Sequence, residues 1–347
     1  MKRKTEFGAL MCTMAAVASA CGSDGSRTAP RASHAKLSET DRDAPPRFGP
    51  WSAVMNLGPV INSASDDQHP AISHDGLSLY ISSTGPGGRG GLDIWVSQRK
   101  SIDAPWGPPV DLGPNINSPG NDSAPAFSRD GSRLYFHSSG HGATVAGQGC
   151  GDVDLFVSRR EDKHDDFGWQ PAQNLGCVVN SPFSDSGPTV FEDEETGIAT
   201  LYFTSTRPGG LGDFDIWAST RAEDEQAFGE PRLVKELSSG SRDTRTAIRS
   251  DGLEIFLSSG RPGDDVVGRS SGSEDLWVSR RPNTSAPWSP PENLGPTINS
   301  AAFDGAPALS RDGTTLYFFS ERAGGFGGRD LYVTRRSRIR DSEHSDE

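Results

Sequence analysis

The sequence predicts an all-β chain folded as a five-bladed β-propeller, and three observations carry that prediction. One block of landmarks recurs five times, with its aromatic marker at Trp51, Trp106, Trp169, Phe228 and Trp288, spaced 55, 63, 59 and 60 residues apart. Short strand-like runs within each block carry apolar residues at both alternating positions, as sheets covered on both faces require. The chain is punctuated by 41 Gly and 25 Pro and shows no sustained helical period.

Each block opens on an Asp that precedes an inner strand at PA-x-S. An Asp-Gly turn follows, as at Asp75-Gly76, Asp130-Gly131, Asp251-Gly252 and Asp312-Gly313, because the pair tolerates a tight hairpin. Block three replaces this turn with a longer acidic one, Glu192 to Gly197. The second strand is of the type LYF. A Gly-rich loop leads to the third, D-[IL]-[WFY]-V-S, which ends in Arg99, Arg160, Arg221, Arg281 or Arg336. An outer strand runs from the aromatic to N-L-G. The fifth block lacks an outer strand after Arg336, whereas Trp51 to Gly58 is an outer strand with no block before it. Pairing the two closes the ring and removes both open edges.

Outside residues 51–336 the composition changes. Lys2, Arg3 and Lys4 precede an apolar run from Phe7 to Ala20, the pattern of a secretory signal and too short to span a bilayer. Cys21, directly after small residues, fits bacterial lipidation. Residues 21–50 read as the lipidation site and a flexible linker, and 337–347 as a disordered tail. The expected location is the cell envelope, lipid-anchored at the outer membrane or periplasm, with secretion as the alternative. Loss of residues 1–20 would change the formal charge from -13 to -15, since three basic residues and Glu6 go. Such an acidic body disfavours nucleic acid, and any membrane attachment must come from the lipid.

The stretches LYFTSTRPGGLGDFDIWAST and LYFFSERAGGFGGRDLYVT resemble the WD40-like propeller repeat of the TolB type found in bacterial envelope proteins. The likeness covers residues 51–336. It implies a binding platform for a protein partner more than any one activity. The expectation is accordingly a non-catalytic interaction platform, not an enzyme, whose partner is an envelope protein or a cell-surface glycan. The alternative is a glycan-binding protein or a glycoside hydrolase acting at the loop face.

In a propeller, the loops entering the inner strands share one face with those joining strands two and three. That face would carry the leading ring Asp67, Asp122, Asp185, Asp243 and Asp304, with a second set Asp93, Asp154, Asp215, Asp275 and Asp330. Converging carboxylates suit Ca²⁺, although a feature repeated in every blade reads first as a turn-fixing device, so no cofactor is expected. The Gly-rich loops lack a following helix and a P-loop Lys, which argues against phosphate cradling. Each closing Arg is expected to pair with a neighbouring Asp.

Departures from the repeat are the better functional candidates: His69, His137, His141, Arg242, Arg245, Asp264, Asp265 and Glu321. Arg207, Arg261 and Arg322 occupy matching loop positions and could form a basic rim selecting an anionic patch. Binding is assigned to Asp67, His69, Asp122, Asp185, Arg207, Asp243, Arg261, Asp304, Glu321 and Arg322, and no residue is assigned as catalytic. For the hydrolase alternative, Glu274 and Glu321 with a leading Asp are the carboxyl candidates. Cys150 and Cys177 are expected to form a disulfide outside the cytoplasm; the competing zinc set would be His137, His141, Cys150 and Asp152. Phe214, Phe303 and Phe326 are the aromatics outside strand positions that could face a sugar.

Overall fold

A computed structural model describes residues 46–141, 149–222, 227–262 and 273–339. The expectations for residues 1–20, Cys21 and most of the linker, for the tail beyond Ile339, and for Asp264 and Asp265 fall outside those residues.

The chain enters through β1 (Arg47–Phe48) and β2 (Met55–Asn56), then builds its blades in order. Blade one is β3 (Asp67–Ile72), β4 (Ser78–Ser83), β5 (Asp93–Gln98) and β6 (Val110–Asp111). Blade two is β7 (Asp122–Phe127), β8 (Arg133–Ser138), β9 (Asp154–Arg159) and β10 (Gln173–Asn174). Blade three is β11 (Asp185–Glu192), β12 (Ala199–Ser205), β13 (Asp215–Arg221) and β14 (Arg232–Leu233). Blade four is β15 (Asp243–Ile248), β16 (Glu254–Ser259), β17 (Asp275–Arg280) and β18 (Glu292–Asn293). Blade five has β19 (Asp304–Leu309), β20 (Thr315–Ser320) and β21 (Asp330–Arg335), and takes β2 as its outer strand.

The ring therefore closes as the sequence predicts. Met55 pairs with Val333 and Asn56 with Tyr332. The inner strands neighbour one another in the cyclic order β3, β7, β11, β15, β19 and back to β3. A further pair lies just beyond the 51–336 span: Arg47 and Phe48 of β1 pair with Ile339 and Arg338 of β22 (Arg338–Ile339).

Both faces of each sheet are apolar because the core is divided among the five blade interfaces. Leu79 and Ile81 pack on Tyr317 and Phe319 between blades one and five. Tyr80, Ile94 and Val96 pack on Leu134 and Phe136 between blades one and two. The other three interfaces repeat the arrangement around Phe203, Ile255 and Phe318.

Two repeated side chains fasten the outer segments. Asn62 donates to the Leu331 carbonyl and accepts from the Leu331 amide, imitating a strand neighbour. Asn117 does the same to Ile94, Asn180 to Leu155 and Asn299 to Leu276, with Ser238 serving Ile216. The closing arginines form the second device: the expected Asp partner is met at Arg160, which pairs with Asp166, whereas Arg336 and Arg221 lie on Glu254 and Glu192 instead. Arg99, Arg160, Arg281 and Arg336 each donate Nε to the carbonyl of the turn glycine, Gly76, Gly131, Gly252 or Gly313. Each guanidinium lies over the block's aromatic, at 4.2 Å for Arg99 on Trp106, 4.3 Å for Arg160 on Trp169, 5.1 Å for Arg221 on Phe228 and 4.3 Å for Arg281 on Trp288. A planar guanidinium can serve a carbonyl and a π face at once, and in Arg160 and Arg336 a carboxylate as well.

Candidate functional site

The leading carboxylates are turned into their own loops. In blade one Asp67 accepts the Ser63 amide at 2.5 Å and the Ser83 hydroxyl at 2.6 Å. Asp122, Asp185, Asp243 and Asp304 each accept the amide and hydroxyl of the Ser four residues earlier. All five are buried. Nor are Arg207, Arg261 and Arg322 free rim cations: their Nη2 atoms lie 2.6 Å from Asp185, Asp243 and Asp304. Each also donates to a loop carbonyl, from Val179, Leu237 or Ile298.

Blades one and two lack that arginine. In blade two His141 takes its place, bonding the Ile116 carbonyl at 2.8 Å and standing 3.7 Å from Asp122. In blade one the position is Gly85. Burial raises the pKa of Asp67 and of Asp122, against the hydrogen bonds that lower it.

The second Asp set closes the Gly-rich loops. Asp93 accepts the Arg89 and Gly90 amides, Asp154 those of Cys150 and Gly151, Asp215 those of Leu211 and Gly212, and Asp330 those of Phe326 and Gly327. Among the described residues no group of three or more His, Cys, Asp or Glu is arranged to hold a metal ion. Cys150 is bonded to Cys177, with Cα atoms 5.5 Å apart, which removes it from the zinc set.

The channel axis carries basic groups instead. The third residue of every inner strand, His69, Ala124, Gly187, Arg245 or Ala306, is left-handed, with φ between 44° and 65°. This shared bulge brings the two large members, His69 and Arg245, to the centre, where His69 meets His137 with ring centroids 6.3 Å apart.

At the loop-face mouth, blades four and five present a different group. Glu274 is buried; its Oε2 accepts the Thr244 hydroxyl at 2.6 Å and its Oε1 the Arg242 Nε at 3.0 Å. Burial raises its pKa, only partly opposed by Thr244 and Arg242. Arg242 is half-exposed and lies 4.4 Å over the Phe214 ring. Glu321, also partly exposed, is 2.9 Å from Arg329, which donates to Gln68 and covers Phe303 at 5.8 Å. The two acids flank one strand entry: the Glu274 carbonyl accepts from Asp304 N, and Glu321 N donates to the Phe303 carbonyl. Their backbones are thus two strand spacings apart, about 10 Å.

Arg329 has no place among the sequence candidates. It stands immediately before the second Asp, where the other blades carry Leu92, Val153, Phe214 and Glu274. Aligning that one position would have drawn Phe214, Glu274 and Arg329 together as polar or aromatic departures on consecutive blades.

No protein-family model and no curated protein matches the chain. Solved structures do. An exo-1,5-alpha-L-arabinanase from a bovine ruminal metagenomic library is similar with TM-score 0.54 and 15% identity, over 83% of this chain and 100% of that one. The catalytic domain of an alpha-L-arabinofuranosidase from Coprinopsis cinerea is similar with TM-score 0.52 and 14% identity, over 84% and 98%. TolB from Acinetobacter baumannii also matches, at TM-score 0.44 and 15% identity, over 80% of this chain and 56% of that one.

At such identities the likeness speaks for the fold, the five-bladed propeller. It corrects two expectations nonetheless, that the propeller is a non-catalytic platform for a protein partner and that the chain is not an enzyme. The similar structures named are mostly glycoside hydrolases, so the fold gives the platform none of the ground it drew from repeat resemblance.

Proposed function

We propose that the chain is a glycoside hydrolase whose site is the loop-face mouth of the channel at blades four and five. The observation that carries this reading is Glu274, a buried carboxyl with a raised pKa set between Arg242 and Thr244. A carboxyl that keeps its proton to higher pH than an ordinary one is what protonation of a glycosidic oxygen calls for. Movement of the half-exposed Arg242 uncovers Glu274 to a sugar. Glu321, beside Arg329, is the second carboxyl, the one that activates water or meets the anomeric carbon. Phe214 and Phe303 offer ring faces against the apolar face of a pyranose or furanose.

The arabinose-directed activities named for the similar structures make 1,5-linked arabinan and aryl alpha-L-arabinofuranosides the first substrates to try, followed by xylan, glucan and uronate-containing glycans. The Cys150–Cys177 disulfide fits action in an oxidising compartment outside the cytoplasm. Release of sugar by the wild type, reduced about 10²- to 10⁴-fold in Glu274→Gln with the fold intact by circular dichroism, is the expected result. No release from any substrate, or equal release by the variant, would reject the assignment.

A further inference from the structure

Arg245 sits on the channel axis more than nine-tenths buried, and among the described residues its Nε and Nη1 meet no hydrogen-bond partner. Among the described residues no carboxylate pairs with it, although buried charges ordinarily persist only when paired. Its stem crosses the blade-three backbone where Gly187 leaves space; a Cβ there would stand 2.6 Å from Arg245 Cδ.

The surroundings are those of a site for negative charge. His137 Nδ1 accepts the Gly187 amide at 3.3 Å, so its ring proton lies on Nε2, a donor. His69 Nδ1 is 2.7 Å from the Ser123 hydroxyl, which leaves its Nε2 unengaged by that bond. Thr246 Oγ1, next to Arg245, is also buried with no partner among the described residues. The small residues Ala124, Gly187 and Ala306 keep the centre open, and a cavity of about 140 Å³ bordered by Arg245, Thr246, Pro70, Pro125 and Pro307 leads to it.

We propose that this axial centre is a binding site for a small inorganic anion, held by the Arg245 guanidinium with imidazole N–H and hydroxyl donors around it. The site is separate from Glu274 and does not rest on the hydrolase reading. With no anion beside it, burial pushes Arg245 down to about 9 and, together with the charge of Arg245, pushes His137 down to about 3. An anion relieves the first of these effects directly. A cation is disfavoured there for the same reason.

The test uses thermal unfolding of the full chain in sodium gluconate as the reference salt, with chloride, bromide or phosphate exchanged in at constant ionic strength. A saturable rise in Tm with at least one of the three, absent in Arg245→Met, is expected. Crystals grown with bromide should show an anomalous peak within hydrogen-bond reach of Arg245. Equal responses in wild type and variant, no response to any of the three, or water alone beside Arg245 in the bromide crystal would overturn the proposal. Should Arg245→Met fail to fold, the bromide crystal decides.

Discussion

The guanidinium of Arg336 lies 4.5 Å over the ring of Trp51, joining the last strand of blade five to the segment that enters the propeller. The same Arg–aromatic stack occurs inside blades one to four, so the ring closes with the contact that each blade uses for itself. Around it, Trp51 meets Phe256 edge to face at 6.0 Å, the Ser52 carbonyl accepts the Thr334 hydroxyl, and the Ser52 and Thr334 hydroxyls lie 3.3 Å apart. Trp51→Ala removes the stack and the packing together. We expect a loss of about 3 kcal/mol in urea unfolding, against under 1 kcal/mol for an exposed control such as Val60→Ala.

Glu254 ties blade four to that same arginine. Burial works against its charge, but hydrogen bonds from Arg336 and the charges of Arg336, Arg249 and Arg280 outweigh it and hold its pKa below the ordinary value. A carboxylate lowered in the folded state gives stability that is present above its unfolded pKa and lost as pH falls through the folded one. Glu254→Gln should therefore cost about 3 kcal/mol at pH 7 and much less at pH 3. An equal cost at both values, measured by urea unfolding, would mean that packing and not charge holds this contact.

Gly187 offers a sharper test of the channel. The four equivalent residues carry side chains at φ of 44° to 65°, so the left-handed backbone is not what reserves this position for glycine. Arg245 is, since its Cδ occupies the place of the missing Cβ. Gly187→Ala is expected to lower stability by about 2 kcal/mol, and Gly187→Ala with Arg245→Ala to show clear non-additivity. Simple addition of the two single effects would place the obstacle in the backbone instead.

The fold was legible because repetition constrains it five times over. Ring closure followed from a missing outer strand after Arg336 and a spare one at Trp51, a matter of counting. Side-chain direction was not legible. An Asp at the head of an inner strand is equally compatible with pointing to the axis or into its own loop, and only the Ser four residues earlier decides for the loop. Arg207, Arg261 and Arg322 were visible as a set, but their partners were the leading Asp ring, 18 or 22 residues away in sequence. At Glu274 the sequence showed an acid that breaks the repeat, and burial between Arg242 and Thr244 supplied the chemistry. Arg245 was visible as a departure from the repeat, but nothing local says that a third-position residue reaches the axis.

Blade one provides the last prediction, since it lacks the guanidinium that Asp185, Asp243 and Asp304 each receive. Gly85 has the backbone setting of its counterparts: its amide donates to Ser83 Oγ as that of Arg207 donates to Ser205 Oγ. Its φ is outside the left-handed range, and the nearest atom to an added Cβ is the Ser83 hydroxyl at 3.1 Å, a side chain able to give way. Gly85→Arg should accordingly place its Nη2 against Asp67. In the wild type, the raised pKa of Asp67 means that its contribution is present below the unfolded pKa and lost as pH rises through the folded one. An arginine beside it lowers the folded pKa and reverses that sign. The variant should gain about 1 kcal/mol at pH 7.5, visible as a higher Tm, and lose that advantage progressively as the pH falls toward 3 and Asp67 takes up its proton. A gain of the same size at both pH values would show that the arginine acts through packing on the loop and not through Asp67.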